Sequence, residues 1–143
     1  MIYPQNILID ESLAEVLVYE FRNIPINVYH QNSMDKDNTG TYNFGFQWAG
    51  LTNGELTAKA IEYLQVDCII TGDGEFYREL PIPLPIPVIH LKKYNADEIE
   101  RHKQIIKESV IPKIISGLEA GVYRGTMDGI QKIRNHFGRN IRH

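Results

Sequence analysis

A single cysteine occurs in 143 residues, so no internal disulfide can form and a disulfide-stapled secreted scaffold is excluded. That residue, Cys68, sits inside an apolar run and reads as a small buried hydrophobe. The five histidines (30, 90, 102, 136 and 143) show no metal-ligand spacing. Every uncharged apolar stretch falls well short of the roughly 20 residues that span a bilayer, so no membrane partner is expected. The opening MIYPQNILIDES lacks a basic segment followed by a long apolar core, and no signal peptide is expected from it. A cytoplasmic protein is the expectation that follows.

The composition itself is ordinary. The apolar share is 43% and the charged share 23%, which suits one globular domain over residues 1–143 with a core of its own. The net charge of -3 is unevenly spread. Residues 120–143 hold five Arg/Lys against one acid, a net +4, which leaves -7 on the preceding 119 residues. An acidic body with a basic tail fits either a solvated helix face or a surface for an acidic partner.

Along the chain, Ile7-Leu8-Ile9 is a short apolar strand that ends at Asp10. Leu13, Val16, Leu17 and Phe21 then follow helical spacing, which predicts a helix over Glu11 to Arg22. Ile26 to Tyr29 reads as a second strand, completing a βαβ unit. Residues 31–50 are polar, then aromatic at Tyr42, Phe44, Phe46 and Trp48. Such rings can stack on unpaired bases, but the favoured expectation is that they fold the loop onto the core. Thr52 and Glu55 form a capping box ahead of a helix carrying Leu56, Ala60, Ile61 and Leu64. Asp67 to Thr71 is the central strand. The proline repeat of residues 80–87 can only be an extended connector. Val88 to Leu91 makes a fourth strand. Ile99, His102, Ile106, Val110, Ile114 and Leu118 predict a long helix over Ala96 to Gly117, kinked at Pro112. Met127, Ile130, Ile133 and Phe137 predict a short amphipathic helix in the basic tail, ended by Gly138.

The expected fold class is therefore α/β, with a central, mostly parallel sheet of about four strands and C-terminal helices. Parallel strands bring their C-terminal ends to one edge, where ligands of open α/β sheets bind. Asp10 ends the first strand, and Asp73 and Glu75 follow the central one. Glu55 opens the helix before it. Each has a structural alternative, since Asp favours turns and N-caps and Glu55 is the acid of a capping box. Carboxylates gathered at one edge repel unless a cation lies between them. Oxygen donors without His or Cys suit Mg²⁺ or Mn²⁺ rather than zinc.

Three motifs carry a resemblance. LIDESL at residues 8–13 resembles the opening strand and turn of PIN-like nucleases, often written LLDENL. GELTAKA at 54–60 is similar to their acidic second-helix motif, and IITGDGEF at 69–76 to their third, usually VTNDKDF. Order and spacing agree over roughly residues 5–92. The similarity is strongest to the short branch of toxin-type domains related to VapC toxins. It implies a three-layer α/β/α PIN-like domain and Mg²⁺- or Mn²⁺-dependent hydrolysis of RNA by the toxin of a toxin–antitoxin pair. Carried over by position, the catalytic set is Asp10, Glu55, Asp73 and Glu75, with Asp10, Asp73 and Glu75 on the metal. An antitoxin protein and a homodimer are the implied partners.

The sequence departs from the family at Glu75, where Asp is usual, and at Gly72 and Gly74, where polar residues are usual. Those departures keep open a catalytically weak PIN-like fold that binds RNA or protein. A phosphatase-like or receiver-like Mg²⁺ domain ranks below both, since it needs a lysine at a strand end and only Lys92-Lys93 offers one. An acidic site must draw RNA in with positive groups elsewhere. The basic C-terminal helical extension over residues 120–143 supplies the candidates Lys132, Arg139 and Arg142.

Overall fold

A computed structural model describes residues 1–141. Arg142 therefore lies outside the described residues. The chain is α/β, built on one six-stranded sheet in the order β2-β1-β3-β4-β5-β6. The strands are β1 (Asn6–Ile9), β2 (Asn27–His30), β3 (Cys68–Thr71), β4 (Pro87–Leu91), β5 (Gly121–Thr126) and β6 (Gly129–Arg134). The first five run parallel, and β6 pairs antiparallel with β5. The four expected strands are all present, and two more extend the sheet.

Both faces of the sheet are apolar, as buried parallel strands require. Ile7, Ile9, Cys68, Ile70, Ile89, Leu91 and Tyr123 form one core cluster with Leu13, Leu17, Phe21, Ile105, Ile106, Val110 and Ile114. The alternating residues Leu8, Ile69, Val88 and Val122 face the other way. They pack against Leu56, Ala60, Trp48, Phe76, Leu80 and Leu84. The aromatic loop folds onto this second cluster as expected. Trp48 is fully buried, with Phe44 and Phe46 rings 5.4 and 5.0 Å from it.

The helix over Asn53–Leu64 (α1) starts at the anticipated capping box, with both reciprocal hydrogen bonds between Thr52 and Glu55 formed. The long C-terminal helix spans Glu98–Ser116 in three pieces. These are α2 (Glu98–Ile105), a π-helical turn (Ile106–Val110) and α3 (Ile111–Ser116). Pro112 lies in the first turn of α3. Proline has no N–H to donate, and the wider turn just before it accommodates the missing bond. The extra residue also lets the consecutive Ile105 and Ile106 both reach the core. Ile99, expected on the buried face, is 44% exposed.

Two expectations are corrected. The helix predicted over Glu11–Arg22 is a 3-10 helix over Glu15–Phe21. Asp10 accepts hydrogen bonds from the Ser12 N–H at 3.2 Å and from Ser12 Oγ. This Asx turn holds residues 10–12 away from helical geometry. Leu13, Leu17 and Phe21 still bury, while Val16 is 36% exposed.

The amphipathic helix predicted over 127–137 is instead the β5–β6 hairpin and a return turn. Ile130 packs against the first core cluster and Ile133 against the second. A spacing of three that reads as one helix face thus divides between the two faces of a strand. Phe137, expected in the core, is 48% exposed and stacks near His136.

Candidate functional site

The site lies where β1 and β3 end. Asp10 follows Ile9, and its N–H donates to the Ile70 carbonyl at 3.1 Å, so it continues the ladder one step beyond β1. That step places Asp10 level with Thr71, the last residue of β3, and its carboxylate turns inward and is 3% exposed. Oδ1 accepts from the Ser12 N–H and Ser12 Oγ, and Oδ2 accepts from Thr71 Oγ1 at 2.7 Å. Ser12 Oγ in turn accepts from the Gly72 N–H at 2.8 Å. All these donors are neutral. Burial pushes the Asp10 carboxyl above the usual carboxylate range. The bonds from Ser12 and Thr71 pull it back in part, and the nearby Asp73 pushes it up again.

Asp73 is tied to the same hydroxyl. Its N–H donates to Thr71 Oγ1 at 3.0 Å. Its Oδ1 accepts from the Glu75 N–H at 2.9 Å, and its Oδ2 from Asn53 Nδ2 at 3.2 Å. Thr71 therefore bridges the two aspartates, and the first residue of α1 holds the outer one. Gly54, beside Asn53, permits that approach. A Cβ there would lie 2.8 Å from the Glu79 carbonyl oxygen.

Glu55 and Glu75 take other places. The Glu55 side chain is exposed and closes the capping box. Its carboxyl is held below the usual range by the Thr52 hydroxyl and N–H. Glu75 is exposed and paired with Arg78 one turn later. Among the described residues, no group of three or more His, Cys, Asp or Glu side chains is arranged to hold a metal ion. The four acids thus stand as two groups: Asp10 and Asp73 joined through Thr71, and Glu55 and Glu75 each engaged locally.

This donor set fits a hard cation in one respect. Mg²⁺ keeps several waters and is commonly held by one or two carboxylates. Asp10 and Asp73 supply two, with only neutral donors on them. A cage of four carboxylates is not assembled.

Of the expected RNA-binding cations, Lys132 pairs with Glu119 at 3.0 Å. Glu119 precedes β5, so this pair lies at the N-terminal edge of the parallel strands, opposite Asp10. Arg139 is exposed in the turn after β6, where its guanidinium lies 5.9 Å from the Phe137 ring. Arg142 is outside the described residues.

Sequence reasoning passed over several groups at the carboxylate edge. His90 pairs in register with Thr71, and Arg124 with His90. A Cβ on Gly74 would touch the His90 ring at 3.2 Å, which places the imidazole against the Gly72–Gly74 turn. Burial and Arg124 lower the His90 pKa, with Asp73 and the Gly72 backbone pulling the other way. On the far side of the turn, Ser12, Gly72, His102, Glu98 and the exposed Lys93 line a cavity of about 170 Å³. The sequence signal for His90 was its place near the end of a predicted strand. Arg124 carried no such signal while its segment went unread as a strand.

No protein-family model matches the chain, and neither a curated protein nor a solved structure matches it at a significant level. No helix of the described residues is long and apolar enough to cross a membrane.

Proposed function

We propose that this chain is a metal-dependent ribonuclease with a PIN-like, three-layer α/β/α domain, cleaving RNA phosphodiester bonds at Asp10 and Asp73. One observation carries the reading: the buried Thr71 hydroxyl at the end of β3 joins the Asp10 carboxylate to the Asp73 backbone N–H, and among the described residues no cation pairs with either acid. The resemblance of residues 8–13 and 69–76 to PIN-like motifs supports it, since those motifs supply these two acids. In the same reading the chain acts in the cytoplasm as the toxin of a toxin–antitoxin pair, restrained by an antitoxin protein.

Asp10 and Asp73 are the groups that would hold Mg²⁺ or Mn²⁺. When bound, such an ion lowers the pKa of its water and offsets charge on the phosphoryl oxygens. The rest of the work belongs to the chain. Ser12 and Thr71 fix the Asp10 carboxylate in one orientation and partly offset the cost that burial puts on its charged form. Asn53 and the Glu75 N–H fix Asp73. Thr71 sets the spacing between the two. Preorganised acids of this kind avoid reorganisation at the moment of reaction. The scissile phosphate would lie over the Gly72–Gly74 turn.

The test is Mn²⁺ binding, read by electron paramagnetic resonance, together with cleavage of a labelled single-stranded RNA. The expected result is one Mn²⁺ site that is lost in Asp10→Asn and in Asp73→Asn, with cleavage lost in parallel. Cleavage that survives chelator, or that survives both substitutions, overturns the reading.

A second reading is favoured by a specific observation. Glu55 is committed to the α1 cap and Glu75 to Arg78. A PIN-like fold with only two of four acids in place would be catalytically weak and serve as an RNA- or protein-binding module. RNA binding without cleavage under any divalent ion would select it.

A further inference from the structure

The C-terminal edge of the sheet is polarised along its width. Five residues stand level on consecutive strands: Asp10 after β1, Thr71 on β3, His90 on β4, Arg124 on β5 and Gln131 on β6. In-register neighbours share a face. Ile69, Val88 and Val122, two residues earlier on β3, β4 and β5, belong to the cluster on the α1 side. Thr71, His90 and Arg124 therefore face the α1 side as well. The row runs from acid through hydroxyl and imidazole to guanidinium and amide. One end suits a cation and the other an anion.

Arg124 is exposed, and among the described residues it makes no ion pair. With Gln131, Thr126, Asp128 and Gly129 it lines an open cleft of about 250 Å³. A Cβ on Gly129 would meet nothing within 4 Å, so the floor of that cleft is clear. Asp128 is the one acid there, and its charge is exposed at the hairpin tip. Two strand spacings separate Thr71 from Arg124, roughly 10 Å between backbones, and the long arginine side chain can close part of that distance.

The expected tail cations lie elsewhere. Lys132 is held by Glu119 before β5 begins. From Glu119 to Arg124 the chain climbs roughly 16 Å at about 3.3 Å per residue. A strand of RNA with one phosphate at Asp10 and Asp73 that runs along this row would meet Arg124 before Lys132.

We propose that Arg124 and His90, with Gln131 beside them, form the RNA-backbone subsite, gripping a phosphate next to the one at the aspartates. The inference rests on the ribonuclease reading, which supplies the anchored phosphate at Asp10 and Asp73. Arg124 gives a planar, charged fork matched to phosphate oxygens. His90 gives a ring N–H between that fork and Asp73, and Gln131 an amide donor. None of these contacts reads base identity, so the subsite is sequence-tolerant.

The experiment measures binding of a fluorescently labelled single-stranded RNA against salt in chelator, where turnover is blocked. Parent, Arg124→Ala, Arg124→Lys, His90→Gln and a Lys132→Ala/Arg139→Ala control are compared. Arg124→Ala is expected to weaken binding about tenfold or more and to flatten the log–log salt slope by about 0.7. Arg124→Lys should restore the slope but only part of the affinity, since it keeps charge and loses the fork. His90→Gln should cost a few-fold, and the tail control should match the parent.

An Arg124→Ala protein with parental affinity and slope overturns the subsite, as does a loss confined to the tail control. Mn²⁺ binding is measured on the same proteins to separate the two ideas. Parental Mn²⁺ binding with no effect of Arg124 on RNA overturns the subsite and leaves the metal reading standing. RNA binding that depends on Arg124 in a protein without a Mn²⁺ site overturns the metal reading and leaves the subsite.

Discussion

Replacing Thr71 by valine keeps the shape of a fully buried side chain and deletes its hydroxyl. Its two shortest bonds go with it, along with a long contact to Ser12 Oγ at 3.4 Å. Oγ1 no longer donates to Asp10 Oδ2 at 2.7 Å, and it no longer accepts from the Asp73 N–H at 3.0 Å. The first is a bond to a charged group, a class worth about 1.5–3 kcal/mol. The second leaves an amide that is only partly buried and can turn to water, adding roughly 0.5 kcal/mol. The expected loss is about 2–3.5 kcal/mol at neutral pH in chelator, or roughly 6–12 °C in Tm for a domain of this size.

The loss should depend on pH, and Asp10 sets the sign. Burial raises the Asp10 pKa and the Thr71 hydroxyl lowers it in part, so valine raises it further. The deficit is then largest above the folded-state pKa of Asp10. It shrinks as pH falls through that value, towards the roughly 1 kcal/mol of a neutral bond. Trp48 is the sole tryptophan and is buried, so urea unfolding can be followed by its fluorescence. Repeating the substitution in an Asp10→Asn background isolates the pair. A deficit under about 0.5 kcal/mol, or one equally large without the Asp10 charge, refutes the view that Thr71 supports a buried carboxylate.

Two further outcomes follow from the same geometry. Because the folded state raises the Asp10 pKa, the parent binds that proton more tightly when folded and loses stability as pH rises through the folded value. Asp10→Asn in chelator should therefore equal or exceed the parent at neutral pH, with the advantage gone below the unfolded pKa of about 3.9; melting curves that differ by the same amount across that window contradict it. Gly54→Ala would put a methyl 2.8 Å from the Glu79 carbonyl oxygen and should cost about 1–3 kcal/mol by forcing α1 away from the segment after Asp73; an unchanged unfolding midpoint would show that the contact yields freely.

What the sequence determined by itself was the part governed by local rules. Ile7–Ile9 and Cys68–Thr71 are apolar runs bounded by polar turns, and they became the central strands. Thr52 and Glu55 satisfy each other's backbone donors whatever surrounds them, so α1 began where its capping box predicted. Asp10 and Asp73 were legible as neighbours because parallel strands put their C-terminal ends on one edge. The tertiary structure decided whatever depended on partners distant in sequence. Val122 and Ile133 became strand residues because the far edge of the sheet offered both a ladder and two apolar faces, which no local period records. Glu55 and Glu75 stayed with near neighbours because Thr52 and Arg78 hold them at short range, while Asp10 reached the Thr71 hydroxyl, two residues from Asp73, across 61 residues of chain. His90 and Arg124 reached the carboxylate edge for the same reason: strand register sets which side chains stand level, and register is fixed only when the sheet assembles.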